Sequence, residues 1–284
     1  MRAIAFFFVF VAHAQPFEVL PGGFGVTVFF FLSGYLITSL LRDEARRTAT
    51  ISLKGFYLRR VLRIFPPCYL TVILVSTLAA AGVLYNRESY TSLVSAFLYF
   101  SNYWNILGWG NLPAGLGVLW SLAVEEHYYL LFPLLYWCFV RRQLDRKYQA
   151  TVLIVLCLGA LAWRCYRALV WHSSWENIYE GTDTRFDSIL AGCVLAVVAN
   201  SRLGDRVDWL TKHASALACA GAILIGFSFA YRNSFFRDTV RYTLLEIGLM
   251  PIFFFVTLPQ TSFVTRCLEW RGSRHLGQLC TACI

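Results

Sequence analysis

Long apolar runs broken by short polar loops set the pattern of this chain. Examples are "GVTVFFFLSGYLITSLL", "CYLTVILVSTLAAAGVLY", "ATVLIVLCLGALAW", "ALACAGAILIGFSFA" and "IGLMPIFFFVTLP". Several approach the ~20 residues that an α-helix needs to cross a bilayer. The strands of a membrane barrel would instead alternate apolar and polar residues in segments of about ten, and these runs do not alternate. The pattern predicts an all-α protein, a polytopic transmembrane helical bundle. Spans are expected near 3–14, 24–41, 66–85, 119–140, 150–171, 186–200, 213–231 and 242–259, and "HLGQLCTACI" begins a further helix. With no internal repeat and no low-complexity linker, one membrane domain fills 1–284.

Loop charge orients the spans. Lys and Arg cluster at 42–63 (Arg42, Arg46, Arg47, Lys54, Arg59, Arg60, Arg63), at 141–147, at 202–212 and at 266–274. By the positive-inside rule these loops face the cytoplasm. Alternation then puts the N-terminus in the cytoplasm of a multi-pass inner or plasma membrane protein. Loop 232–241, with three Arg, fits this scheme least well. The scheme also constrains "YTSLVSAFLYFSNYWNILGWG": if it crossed the bilayer, the basic cluster at Arg141 would lie outside. Residues 90–110 are therefore read as a re-entrant or interfacial segment, where Asn102, Tyr103, Trp104 and Asn105 suit a protein-lined cavity or the headgroup layer.

Composition agrees. Hydrophobic residues make up 58% and charged residues 14%, against about 45–50% and about 25% in a soluble domain. The net charge of +9 follows from the cytoplasmic loops and does not call for a nucleic-acid partner. The nine cysteines are odd in number and most fall in apolar runs, where Cys acts as a small hydrophobe. The single C-x-x-C at Cys280–Cys283 lacks the second pair of a zinc site. Five scattered His with no H-E-x-x-H suggest no metal site.

Ionisable residues inside spans are costly and mark function by default. In the opening "MRAIAFFFVFVAHAQP", Arg2 and His13 are eleven residues apart, almost three turns, so they share a helix face. Read as a signal peptide, the same stretch would be cut after Ala14; read as a retained helix, it places His13 as a general base. In "FYLRRVLRIFPP", Arg60 and Arg63 share a face of a basic amphipathic helix expected on the cytoplasmic surface. There they attract anionic lipid or clamp phosphate. In "WSLAVEEHYYLLFP", Glu125 and Glu126 enter an apolar span, and their 100° offset lets at most one face a given partner. In "TRFDSILAGCVLA", Arg185 and Asp187 suggest a local salt bridge, and Gly192 a close helix contact.

Together these motifs resemble the acyltransferase 3 family of bacterial membrane O-acyltransferases. The resemblance rests on "RAIAFFFVFVAH", "GGFGVTVFFFLSGYLITSLL", "SLKGFYLRRVLRIFPPCYL" with its R-x-x-R, "LWSLAVEEHYYLLFPLL" and "TRFDSILAGCVLA", in family order over almost the whole chain. It implies a bundle of about ten helices. The implied reaction is transfer of an acyl group, commonly acetyl, from acyl-CoA to a hydroxyl of a carbohydrate, a lipid-linked glycan or a surface polysaccharide. No permanently bound cofactor is implied. Carried over, His13 is the catalytic histidine, Arg2 its motif partner, Glu125 or Glu126 the acidic residue, and Arg60 and Arg63 the holders of CoA phosphates. Against the family pattern the chain starts close to the motif Arg and stops about two helices early, so the resemblance implies shortened termini. The other reading is a non-catalytic membrane protein: a transporter or flippase for a lipid-linked sugar, or an inactive relative.

Overall fold

The computed structural model describes residues 22–84, 90–110, 112–113, 115–205 and 207–258. Among them every regular element is helical. The long helices are α1 (Gly22–Thr48) and α2 (Leu53–Ala80). Two short ones follow, α3 (Leu93–Phe97) and α4 (Ser101–Ile106). Then come α5 (Leu119–Arg141), α6 (Arg146–Leu169), the short α7 (Trp175–Glu180) and α8 (Thr182–Val198). The chain continues through α9 (Asp208–Lys212), α10 (Ala214–Ala230), α11 (Ser234–Asp238) and α12 (Val240–Thr257). Four of these, α1, α2, α6 and α12, are long and apolar enough to cross a membrane. Seven of the eight predicted spans coincide with a helix; the eighth, 3–14, lies outside the described residues.

Helix α8 is the axis of the bundle. Nearly every residue from Thr182 to Val197 is buried, and α1, α6, α5 and α12 pack around it. Two glycines allow the α1–α8 contact. A Cβ on Gly34 would sit 1.9 Å from the Ile189 carbonyl oxygen, and one on Gly192 would sit 2.0 Å from that of Phe31. Only hydrogen fits at either place, as in close membrane helix crossings generally. Gly221 and Gly248 repeat the device between α10 and α12, where a Cβ on Gly221 would meet the Gly248 oxygen at 2.4 Å.

Cross-contacts fix the directions. At one end Arg185 of α8 reaches Thr27 of α1. At the other, Arg42 of α1 pairs with Asp205, just beyond α8, and Ser201 bonds the Thr257 carbonyl at the close of α12. So α1, α8 and α12 run the same way. The second end also gathers Arg46 and Arg146, both on Asp205 at 2.7 and 2.8 Å. It is the basic end that loop charge assigned to the cytoplasm.

Residues 90–110 do not cross the bundle. Helices α3 and α4 have five and six residues, far short of a span. They stay at the end opposite the basic one: Tyr69 bonds the Phe97 carbonyl at 3.0 Å and Asn102 bonds Thr182 at 2.8 Å.

One expectation fails at α2. The R-x-x-R does not lie on a separate surface helix ending at the prolines. A single 28-residue helix, capped by Ser52, runs through Pro66 and Pro67. The carbonyls that lose an N–H partner are those of Leu62 and Arg63, one turn before the prolines, and prolines are tolerated inside membrane helices. Leu58, Leu62, Leu70, Ile73 and Leu74 are exposed along α2, as a lipid-facing helix requires.

Candidate active site

Two helices meet at the Glu125 carboxylate, and a third packs against one of its partners. Glu125 lies in the second turn of α5 and is 1% exposed. Ser33 of α1 donates to its Oε1 at 2.5 Å, and Tyr129, one turn further along α5, donates to its Oε2 at 3.2 Å. The Arg60 guanidinium of α2 lies 3.9 Å over the Tyr129 ring, a cation–π contact. Tyr57, just before it, donates to the Leu130 carbonyl at 2.8 Å and pins α2 against α5. The R-x-x-R thus delivers one of its arginines to the acidic motif. Arg63 is exposed.

Glu126, offset by one residue, takes neither the Ser33 nor the Tyr129 hydroxyl, although the charges of Glu125 and Arg60 reach it. It is half-buried, and its Oε1 has no hydrogen-bond partner among the described residues although the atom is out of solvent. The next residue, His127, sits with Nδ1 2.8 Å from Thr182 Oγ1 at the start of α8. The sequence EEH therefore distributes three polar groups to three surroundings. Arg2 and His13, expected to complete the site, lie outside the described residues.

A second polar layer surrounds the first turns of α8. Asp187 does not pair with Arg185, as the sequence suggested. Its carboxylate takes both Nη atoms of Arg164 from α6, at 3.0 and 2.7 Å, with both side chains fully buried. Asp187 and Arg185 are two residues apart on a helix and point in different directions, so a neighbouring helix supplies the partner. Thr243 donates to Asp187 at 3.1 Å, and Ser188 donates to the buried Glu246 at 2.6 Å, tying in α12. Arg164 and Glu246 are not among the candidates drawn from sequence, yet each is an ionisable residue within a predicted span, which is signal enough.

At the rim, Asp183 binds Trp163, Arg167 and Tyr103 at 2.5, 3.1 and 3.0 Å. Burial, and the Asp183 charge after it, push the Tyr103 phenol up to about 12. Burial also raises the Glu180 carboxyl, against a hydrogen bond from Asn105 that favours its charge; Glu176 adds to the rise. At the basic end burial opposes the Asp205 charge, but Arg46 and Arg42 outweigh it and hold the carboxyl below its ordinary value. Among the described residues no group of His, Cys, Asp and Glu is arranged to hold a metal ion.

Between α5, α6 and α8 runs an apolar groove of about 570 Å³, floored by Phe132, Phe186 and Leu190 and ending at Trp163 and Asp183. The acidic cluster itself offers a buried carboxylate held by two hydroxyls and a guanidinium on the ring of one of them; the groove is lined by other residues.

Known proteins share this sequence pattern. The peptidoglycan O-acetyltransferase OatA of Listeria monocytogenes is 31% identical over 98% of this chain, which covers 47% of that protein. The O-acetyltransferase OatA of Staphylococcus aureus is 35% identical over 70% of this chain and 34% of its own length. The chain thus spans about half, or less, of the length of these relatives. No solved structure gives a significant match. A family model described as an acyltransferase domain matches residues 1–282, and the chain belongs to that family, acyltransferase 3.

Proposed function

We propose that the protein is a membrane O-acyltransferase that moves an acyl group, acetyl by preference, from acyl-CoA on the cytoplasmic side to a hydroxyl of a cell-surface glycan. The name of the Listeria monocytogenes relative makes peptidoglycan the first acceptor to test. The observation that carries the reading is the meeting of two separate motifs, Arg60 of the R-x-x-R and Glu125 of the acidic motif, around Tyr129. A bundle that merely buried a carboxylate would not need a guanidinium from a second helix on the ring of that carboxylate's tyrosine partner.

An alcohol is a weak nucleophile at neutral pH and needs a base as it attacks. His13 takes that role, accepting the hydroxyl proton as the oxygen bonds to the thioester carbonyl, and passing that proton to the CoA sulfur as the C–S bond breaks and CoA departs as the thiol. Glu125 fixes the imidazole or stabilises its charged form; Arg2 and Arg60 balance negative charge on the donor. Arg63 and the basic end beneath it meet the phosphates. The cytoplasmic N-terminus follows from the same charge pattern.

The test is acyl transfer in proteoliposomes with labelled acetyl-CoA and a soluble peptidoglycan fragment. Transfer by the chain, lost in His13→Ala without loss of expression, is the expected result. Absence of transfer, with a lipid-linked sugar instead moved across the membrane by the His13→Ala variant, would establish the transporter.

A further inference from the structure

The apolar groove between α5, α6 and α8 opens onto a face that meets lipid. Helix α6 is long and apolar enough to cross a membrane, and little of it is buried. Along the groove Leu131, Val155 and Leu156 are exposed, while Phe132 and Leu190 form a buried floor. Hydrocarbon is the solvent of such a face, since lipid tails are as apolar as leucine. Gly159 keeps the groove wide. A Cβ there would meet nothing within 4 Å, so no helix contact requires this glycine, unlike Gly34 and Gly192. Glycine weakens a helix interior relative to alanine, and what it leaves here is room. The groove is also short. On α6 it runs from Val155 to Trp163, a rise of about 12 Å, whereas half a hydrocarbon core is about 15 Å. It starts at the end of the bundle opposite the basic one and stays within one leaflet. That length matches one acyl chain of a phospholipid and is too short for a polyprenyl chain.

A chain gains little by leaving bulk lipid for a wall of equal polarity, so selection falls to the polar end. There Asp183 is the one charged residue among the described residues that line the groove. Its side chain is 33% exposed. A carboxylate offers about four acceptor positions. Tyr103 takes one on Oδ1, and Trp163 and Arg167 take two on Oδ2. Oδ1 keeps room for one more donor. Arg167 is only 9% exposed and is not on the groove wall, so the groove meets the carboxylate of this pair. A head group with an N–H cation complements it, and an anionic head is repelled. Trp163 packs with Tyr166 and Trp171 beside this rim, at 5.7 and 5.3 Å between ring centroids. Exposed rings of this kind mark the headgroup level.

We propose that the groove binds one acyl chain of an ethanolamine-headed phospholipid from the leaflet away from the basic end, with the lipid's ammonium on Asp183. The proposal does not depend on the acyltransferase reading. It gives Gly159 a use and assigns Asp183 a ligand beyond its partners within the protein.

The experiment is photolabelling of the full chain in phosphatidylcholine nanodiscs, with labelled residues mapped by mass spectrometry. Two probes carry the same diazirine acyl chain, one on phosphatidylethanolamine and one on phosphatidylglycerol. The choline host has no N–H to offer Asp183. At equal mole fraction the ethanolamine probe should label Leu131, Val155 and Leu156 about tenfold more than the glycerol probe, the scale of one charge-assisted hydrogen bond. Ile73 of α2, exposed outside the groove, should take both probes equally. Gly159→Trp, which fills the groove, should bring both probes down to the Ile73 level and keep the wild-type melting temperature. Asp183→Asn should bring the ethanolamine probe down to the glycerol one. Equal groove labelling by the two probes overturns the proposal, as does a preference for the glycerol probe. So does a groove signal that survives Gly159→Trp, or a preference that survives Asp183→Asn. Absence of groove labelling, the result if a segment of this chain lies there, overturns it too. A polyprenyl phosphate that displaces the ethanolamine probe better than unlabelled phosphatidylethanolamine would replace the phospholipid with a carrier lipid, against the proposal.

Discussion

Ser33 and Glu125 stand 92 positions apart in the chain and 2.5 Å apart in space, hydroxyl to carboxylate. That bond joins α1 to α5 and, through Tyr129, brings Arg60 of α2 to the same spot. Glu125→Gln keeps the shape and removes the charge. The expected outcome is a fall of roughly 100-fold or more in acetyl transfer, the scale of a lost acid–base partner. Ser33→Ala should cost less, because Tyr129 still donates. Glu126→Gln, whose Oε1 has no hydrogen-bond partner among the described residues, is expected to leave transfer within a few-fold. Equal losses for the two glutamines would refute the assignment of Glu125 as the working acid.

The α1–α8 crossing is a stability prediction with a built-in control. Gly192→Ala forces a methyl group to 2.0 Å from the Phe31 oxygen, a backbone atom that cannot swing away. Thermal melting in detergent should show a loss of about 1–3 kcal/mol or more. A methyl group added at Gly159 of α6 would meet nothing within 4 Å. Gly159→Ala should be neutral or stabilise by about 0.5–1 kcal/mol, since alanine is the better helix former. Similar losses at both sites would mean that the crossing is looser than its contacts imply.

Arg164 and Asp187 form a fully buried ion pair. Removing either partner alone leaves an uncompensated charge and should cost about 3–5 kcal/mol. Arg164→Met combined with Asp187→Leu should recover most of the loss. A double variant no better than the singles would show that Thr243 and Glu246 hold the layer together independently of the pair.

Two carboxylates outside the spans should titrate with opposite sign. Asp205 is held below its ordinary value, so its contribution is complete above about pH 4 and fades as pH falls through the folded value. Asp205→Asn should lower the melting temperature at neutral pH and remove that acid-side step. Glu180 is raised by burial, so its ionisation weakens the fold as pH rises from its ordinary value through the raised one. Glu180→Gln should flatten the melting profile in that window. A Glu180→Gln profile that still declines there would contradict the assignment.

The apolar runs were legible because span length depends on hydropathy alone, and helices appear at 24–41, 119–140 and 213–231 where the runs predicted them. Loop charge kept 90–110 at one end, and the Asn102–Thr182 bond agrees. Illegible were the pairings. Arg185 and Asp187 look like partners because they are close in sequence, but helix geometry sends them to different neighbours, and Arg164 arrives from 23 positions away. The R-x-x-R looks like a surface element because basic and apolar residues share its helix just before a span. That one helix runs on through the prolines, and that Tyr129 seats Arg60, only the fold shows. Ser33 has no ionisable signature at all, and only the fold shows it facing Glu125.

Helix α2 has the smallest buried share of the four long apolar helices, yet it carries Arg60 to a tyrosine on α5. One partner rides against lipid while the other is anchored to the core. Membrane thickness and lateral pressure thereby enter the geometry of the acidic cluster directly, and the surrounding lipid becomes a structural component of the site.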